Sequence, residues 1–81
     1  MQSKEKIIED SRTFPEIWGS MTTAQRDHLR SDLKDRLKVT RAAVWYWYSG
    51  QRRPDYLRRK EIARLTSNVI GRKCHPDLLF P

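Results

Sequence analysis

Residues 39 to 54 read Val-Thr-Arg-Ala-Ala-Val-Trp-Tyr-Trp-Tyr-Ser-Gly-Gln-Arg-Arg-Pro, and the architecture is decided in that stretch. The hydroxyl of Thr40 suits an N-cap, because it can accept from a backbone N–H that a first helical turn leaves unpaired. A helix is therefore expected to begin at Arg41. Ala42, Ala43, Val44 and four aromatics follow without a breaker as far as Ser49-Gly50, where a glycine can adopt the left-handed conformation that closes a helix. About two and a half turns fit between cap and stop. Val44, Trp47 and Tyr48 stand at i, i+3 and i+4 and share a face, whereas Arg41, Ala42, Trp45 and Tyr46 lie largely off it. The spacing predicts one face in a core and the other presented.

A second helix is expected just upstream. Thr22-Thr-Ala-Gln25 has the pattern in which the Thr and Gln side chains each satisfy a free donor at a helix start. Leu29, Leu33 and Leu37 then recur every fourth residue, one apolar stripe on an otherwise charged helix spanning about 22 to 37. Asp32 and Arg36 add an exposed pair worth a few tenths of a kcal/mol. Lys38 and Val39 would join this helix to the next. Further upstream, Phe14-Pro15 interrupts the chain and opens a short helix to about Ser20, which brings Phe14, Ile17 and Trp18 together as core.

Downstream, Pro54-Asp55 is expected to open another helix, with proline in its first turn and the aspartate near the positive end of the dipole. Its inward side would be Tyr56, Leu57, Ile62, Ala63 and Leu65, and its end would fall near Ser67-Asn68. Pro76 to Phe80 can form one last turn burying Leu78, Leu79 or Phe80. Residues 1–13 read as a polar tail with room for a turn or two of helix, and residues 14–81 as a single domain. No strand-and-hairpin pattern or internal repeat stands out. The expected fold is all-α, a compact bundle of four to five short helices.

Eighty-one residues allow one modest core and no separate catalytic domain. The net charge of +7 is unevenly placed. Residues 1 to 40 hold 8 Lys or Arg against 7 Asp or Glu, and residues 41 to 81 hold 9 against 3, or +1 and +6. A basic half beside a nearly neutral one points to a polyanionic partner, nucleic acid first, although solubility alone also favours basic small domains. The single Cys74 excludes an internal disulfide and fits a reducing cytoplasm. With His28 the only histidine besides His75, no paired ligand spacing exists, and neither metal nor cofactor is expected. No apolar run reaches the length of a membrane span, so a soluble chain is expected. Nothing assembles a nucleophile with its base, so enzyme activity is not expected.

The stretch Val39 to Pro54 resembles the lambda repressor and Cro type of helix-turn-helix DNA-binding domain. The matching features are Val39 and the Thr40 cap, a short helix with a buried aliphatic and Trp (Val44, Trp47), then Gly50, the basic loop Gln51-Arg52-Arg53, and Pro54. With its flanking helices the resemblance covers roughly residues 22 to 70. Two positions depart: Lys34 stands where the family carries a small residue, and Lys38 where it carries glycine.

The resemblance implies a helix-turn-helix whose second helix enters the major groove, as in bacterial or phage-type regulators, with a cytoplasmic, nucleoid-associated location. Residues matching base-facing positions are Arg41, Ala42, Trp45 and Tyr46. Arg41 can serve a guanine or, equally, a phosphate. Trp45 and Tyr46 can touch DNA or cover a neighbouring element or a second subunit. Thr40, Ser49, Gln51, Arg52 and Arg53 match the caps and loop that grip phosphates, with Arg26 and Arg30 as further candidates. A homodimer on two-fold DNA is implied; Leu78-Leu79-Phe80 and Ile7-Ile8 are both candidates for the self-association surface, and either can equally be core. The competing functions are a general nucleic-acid binder, RNA included, and a protein-interaction adaptor of the same shape.

Overall fold

Four of the five helices begin at a side chain that accepts from the free N–H three residues on, which fixes where each starts. In the computed structural model, which describes residues 8–81, α1 is Phe14–Ser20, α2 Thr23–Leu37, α3 Arg41–Tyr48, α4 Tyr56–Ile70 and α5 Pro76–Leu79. Thr13 and Glu16 form a reciprocal cap at α1, and Thr22 and Gln25 do the same at α2. The Thr40 hydroxyl accepts from Ala43 N–H at 3.1 Å, and the Asp55 carboxylate from Arg58 N–H at 2.9 Å. The chain is mostly helical, as expected from sequence.

Every helix gives residues to one core. Phe14, Ile17 and Trp18 come from α1, Leu29 and Leu33 from α2, and Val44 and Trp47 from α3. Ile62, Ala63 and Leu65 come from α4, and Leu79 with Phe80 closes the C-terminal end. Phe14 is the hub, with ring centroids 6.0 Å from Trp18 and 5.4 Å from Phe80. Trp18 in turn stacks on Tyr48 at 4.2 Å and 5°, so α1 fixes the packing of α3.

The joint between α2 and α3 is Lys38, Val39 and Thr40. Lys38 adopts the left-handed conformation (φ 55°, ψ 44°), the one non-glycine residue with positive φ among the described residues. A Cβ there costs energy that glycine avoids, so Lys38→Gly is expected to raise stability by about 0.5–1 kcal/mol, measured by urea denaturation.

Helix α4 departs from expectation at both ends. Asp55 is its N-cap rather than a first-turn residue, and Pro54 is buried outside the helix. The carboxylate satisfies a free N–H, which a proline within the helix cannot replace. Tyr56 and Leu57 do not face inward, being 53% and 75% exposed. The inward stripe is set by Ile62, and Leu57, five residues earlier, lies roughly 140° around the helix from it. At the other end the helix runs past Ser67-Asn68 to Ile70, because Val69 and Ile70 pack on the core and Gly71 (φ 73°) closes it.

A parallel pair of two-residue strands was not legible in sequence: β1, Glu9–Asp10, runs beside β2, Lys73–Cys74. Strands this short carry no alternating signal. The Ser67 hydroxyl donates to Ala63 O at 2.6 Å and accepts from Cys74 N–H at 2.9 Å, which pins β2 to α4. The helical option for residues 1–13 therefore does not extend over β1, and residues 1–7 lie outside the described residues.

Asp10 is buried, with its side chain 2% exposed, and it accepts from Arg12 through the backbone N–H (3.0 Å), Nε (3.0 Å) and Nη2 (2.7 Å). These contacts outweigh the cost of burial and lower its pKa from 3.8 to about 2. A carboxyl that titrates lower when folded adds stability that is complete above its ordinary value and is lost as pH falls toward 2. The wild type should thus lose on the order of 2 kcal/mol from this group between about pH 5 and 2. Asp10→Asn should be less stable at neutral pH yet lack that part of the acid slope, as denaturant midpoints across the range will register. Glu16 and Glu61, also lowered by their hydrogen bonds, contribute a background common to both proteins.

Candidate nucleic-acid interface

Burial divides α3 as its spacing requires. Val44 and Trp47 are core, while Arg41 and Ala42 are exposed and Trp45 is 42% exposed. Tyr48 is half-buried by its stack on Trp18. Tyr46 is less presented than expected: its ring is half-buried, with Trp45 at its edge (5.2 Å) and the Arg52 guanidinium 4.2 Å from its centroid. That contact is a cation–π pair, so Arg52 is held against α3 instead of trailing in solvent.

The loop after α3 turns back immediately. Gly50 has φ 80°, and the N–H groups of Gln51 and Arg52 both donate to Tyr46 O, at 2.9 and 3.1 Å. Gln51, Arg52 and Arg53 consequently sit at the C-terminal end of α3, all exposed. A groove of about 360 Å³ opens beside them, with Trp47, Gly50, Arg53, Leu79 and Phe80 in its lining.

Charge pairing separates the arginines into two groups. Arg12, Arg30, Arg58 and Arg64 each pair with a carboxylate: Asp10, Asp27, Asp55 and Glu61 in turn. Arg41, Arg52 and Arg53, around α3, have no carboxylate within 4.0 Å among the described residues, and neither do Arg26, Arg36, Arg59 and Arg72 elsewhere. The same holds for Lys38, exposed at the turn before α3 and absent from the residues the sequence pointed to. Its place two residues before the Thr40 cap was the available signal. An unpaired exposed cation keeps its full field for a polyanion, whereas a paired one must first give up its partner.

Several candidates have other work. Arg26 donates from Nε to Trp18 O (2.9 Å) and from Nη2 to Gly19 O (3.1 Å), which caps the end of α1. Arg30 bonds Asp27 at 3.0 Å and lies 5.4 Å from the Trp18 ring centroid. Both are structural contacts within the fold. Arg26→Ala is expected to lower stability by about 1–2 kcal/mol, because two carbonyls lose charge-assisted bonds. Lys, with no fork to span both oxygens, should not restore it in thermal melts. Ser49 spends its O–H on Tyr46 O at 3.3 Å, while Thr40 uses only an acceptor lone pair and keeps its O–H to donate. Thr40 is the better phosphate partner of the two.

The two histidines are occupied by carboxylates. His28 lies 3.3 Å from Asp32, and His75 lies 2.9 Å from Glu9, joining the segment before α5 to β1. Burial pushes the Cys74 thiol up, so it is a poor thiolate source. Among the described residues no group of three or more His, Cys, Asp or Glu could hold a metal, and no helix is long and apolar enough to cross a membrane.

Of the segments considered for self-association, Leu79 and Phe80 are core and Leu78 is exposed. Ile8 is exposed, and Ile7 lies outside the described residues. Scans against protein-family models, curated proteins and solved structures found no match.

Proposed function

We propose that this chain is a sequence-specific duplex-DNA-binding regulator of the helix-turn-helix kind, with α2, the three-residue turn and α3 as the motif. The observation that carries this reading is the division of α3. Its core face is sealed by Val44 and Trp47, and its outer face presents Arg41, Ala42 and Trp45 beside Arg52 and Arg53, two more arginines free of carboxylates. A helix offering a flat exposed face, flanked by unpaired cations, matches the width of a B-DNA major groove. Arg41, Ala42 and Trp45 would meet base edges, and Thr40, Lys38, Gln51, Arg52 and Arg53 would hold phosphates on either side.

A domain this small reads a short half-site, so two copies on a two-fold operator are proposed, in a cytoplasmic, nucleoid-associated setting. Catalysis has no part in this reading. The deciding experiment is selection of bound duplexes from a random pool. Enrichment of one repeated half-site is expected; a pool that stays random after successive rounds sinks the reading.

The exposure of Trp45 also favours a second reading, stacking on unpaired bases. Competition separates the two. Single strands that displace a selected duplex at equal concentration would favour stacking, and duplex that survives a large excess of single strand would favour groove readout.

A further inference from the structure

The presented face of α3 carries hydrogen-bonding groups of one kind. Arg41 has five N–H donors and no acceptor, Trp45 has a single indole donor, and Ala42 has neither. No Asn, Gln, Asp or Glu occurs between Arg41 and Tyr48. The acceptor oxygen on that side, the Tyr46 hydroxyl, belongs to a half-buried ring already faced by Arg52 at 4.2 Å. The face can donate and make apolar contact, but it has little with which to receive a proton.

Base edges in the major groove differ in this respect. Guanine offers two acceptors, N7 and O6, and thymine offers the O4 acceptor with a 5-methyl group. Adenine N6 and cytosine N4 are donors that need an acceptor opposite them. We infer that α3 selects keto bases on the strand it faces: a guanine through Arg41, and a thymine whose methyl group packs on Ala42 and Trp45. Arg41 and Trp45 are one turn apart, ~6 Å along the helix. Bases follow at ~3.4 Å along a strand, so the thymine lies within about two steps of the guanine. The inference rests on the duplex-DNA reading above and specifies what that site accepts.

The test uses the full chain and its selected duplex, altered one atom group at a time. Uracil in place of thymine removes only the methyl group and should weaken binding about 4-fold, the value of one buried methyl. Trp45→Ala, which keeps only the Ala42 part of the methyl contact, should discriminate between the two duplexes less than the wild type does. Replacing guanine by 7-deazaguanine removes the N7 acceptor and should cost roughly 5-fold or more, with Arg41→Ala indifferent to the change. Trp45 and Arg41 are exposed, so both variants should melt like the wild type, and this is checked beside each titration. Two failures are distinguishable. A pool with no enriched duplex overturns the duplex reading and this inference with it. Enriched sites whose affinity ignores both base changes, or whose contacted strand holds adenine and cytosine, overturn this inference alone.

Discussion

Phe14→Ala is expected to leave a large share of the protein unfolded at ambient temperature. The ring is fully buried and sits between Trp18 of α1 and Phe80 after α5, at 6.0 and 5.4 Å. Truncating a core Phe to Ala costs about 3–5 kcal/mol, as lost transfer energy and as a cavity the neighbours fill only in part. A chain of this size has ~4–12 kcal/mol in total. The melting temperature should fall on the order of 12–40 °C, while Phe14→Leu should lose far less. Phe14 has no part in the proposed interface, so this variant tests the packing alone. A loss below about 1 kcal/mol in chemical denaturation would mean that α1 is not packed as described.

The second large effect concerns binding. Replacing Arg52 and Arg53 together by Ala should flatten the dependence of log K on log salt by about 2, because two phosphate contacts no longer release counterions. At about 0.15 M salt the affinity should drop roughly 10–50-fold while the preferred sequence stays the same. Arg41→Ala should do the reverse: a small change in slope and a relaxed preference at one base pair. Arg52 also covers Tyr46, so circular dichroism must accompany the titration to show that α3 persists. An unaltered salt slope in the double variant would remove Arg52 and Arg53 from the interface.

Local chemistry made much of the molecule legible. Thr40 against Ala43 N–H, Thr22 with Gln25 and the Leu29, Leu33 stripe lie where their spacing placed them, because caps and helical periodicity act within about one turn. Where expectation failed, distant contacts had decided. Leu57 looks like core in composition, yet the phase of α4 is set by Ile62, Ala63 and Leu65 against other helices, and Leu57 falls on the wrong side. What the sequence did not show is that Arg26 bonds the Trp18 and Gly19 carbonyls of α1 and that Arg30 lies over the Trp18 ring. Two-residue strands pairing Asp10 with Cys74 have no signature of their own.

By itself, then, the order of residues determined where α1, α2 and α3 start and which face of α3 turns outward, since each depends on neighbours three or four positions away. Only the tertiary structure decided that Arg26 is spent on the Trp18 and Gly19 carbonyls and that Arg30 lies against the Trp18 ring. Those carbonyls and that ring belong to α1, packed against α2 by contacts that helical periodicity does not encode, whereas the carboxylates of Arg30, Arg58 and Arg64 stand only three residues away in sequence.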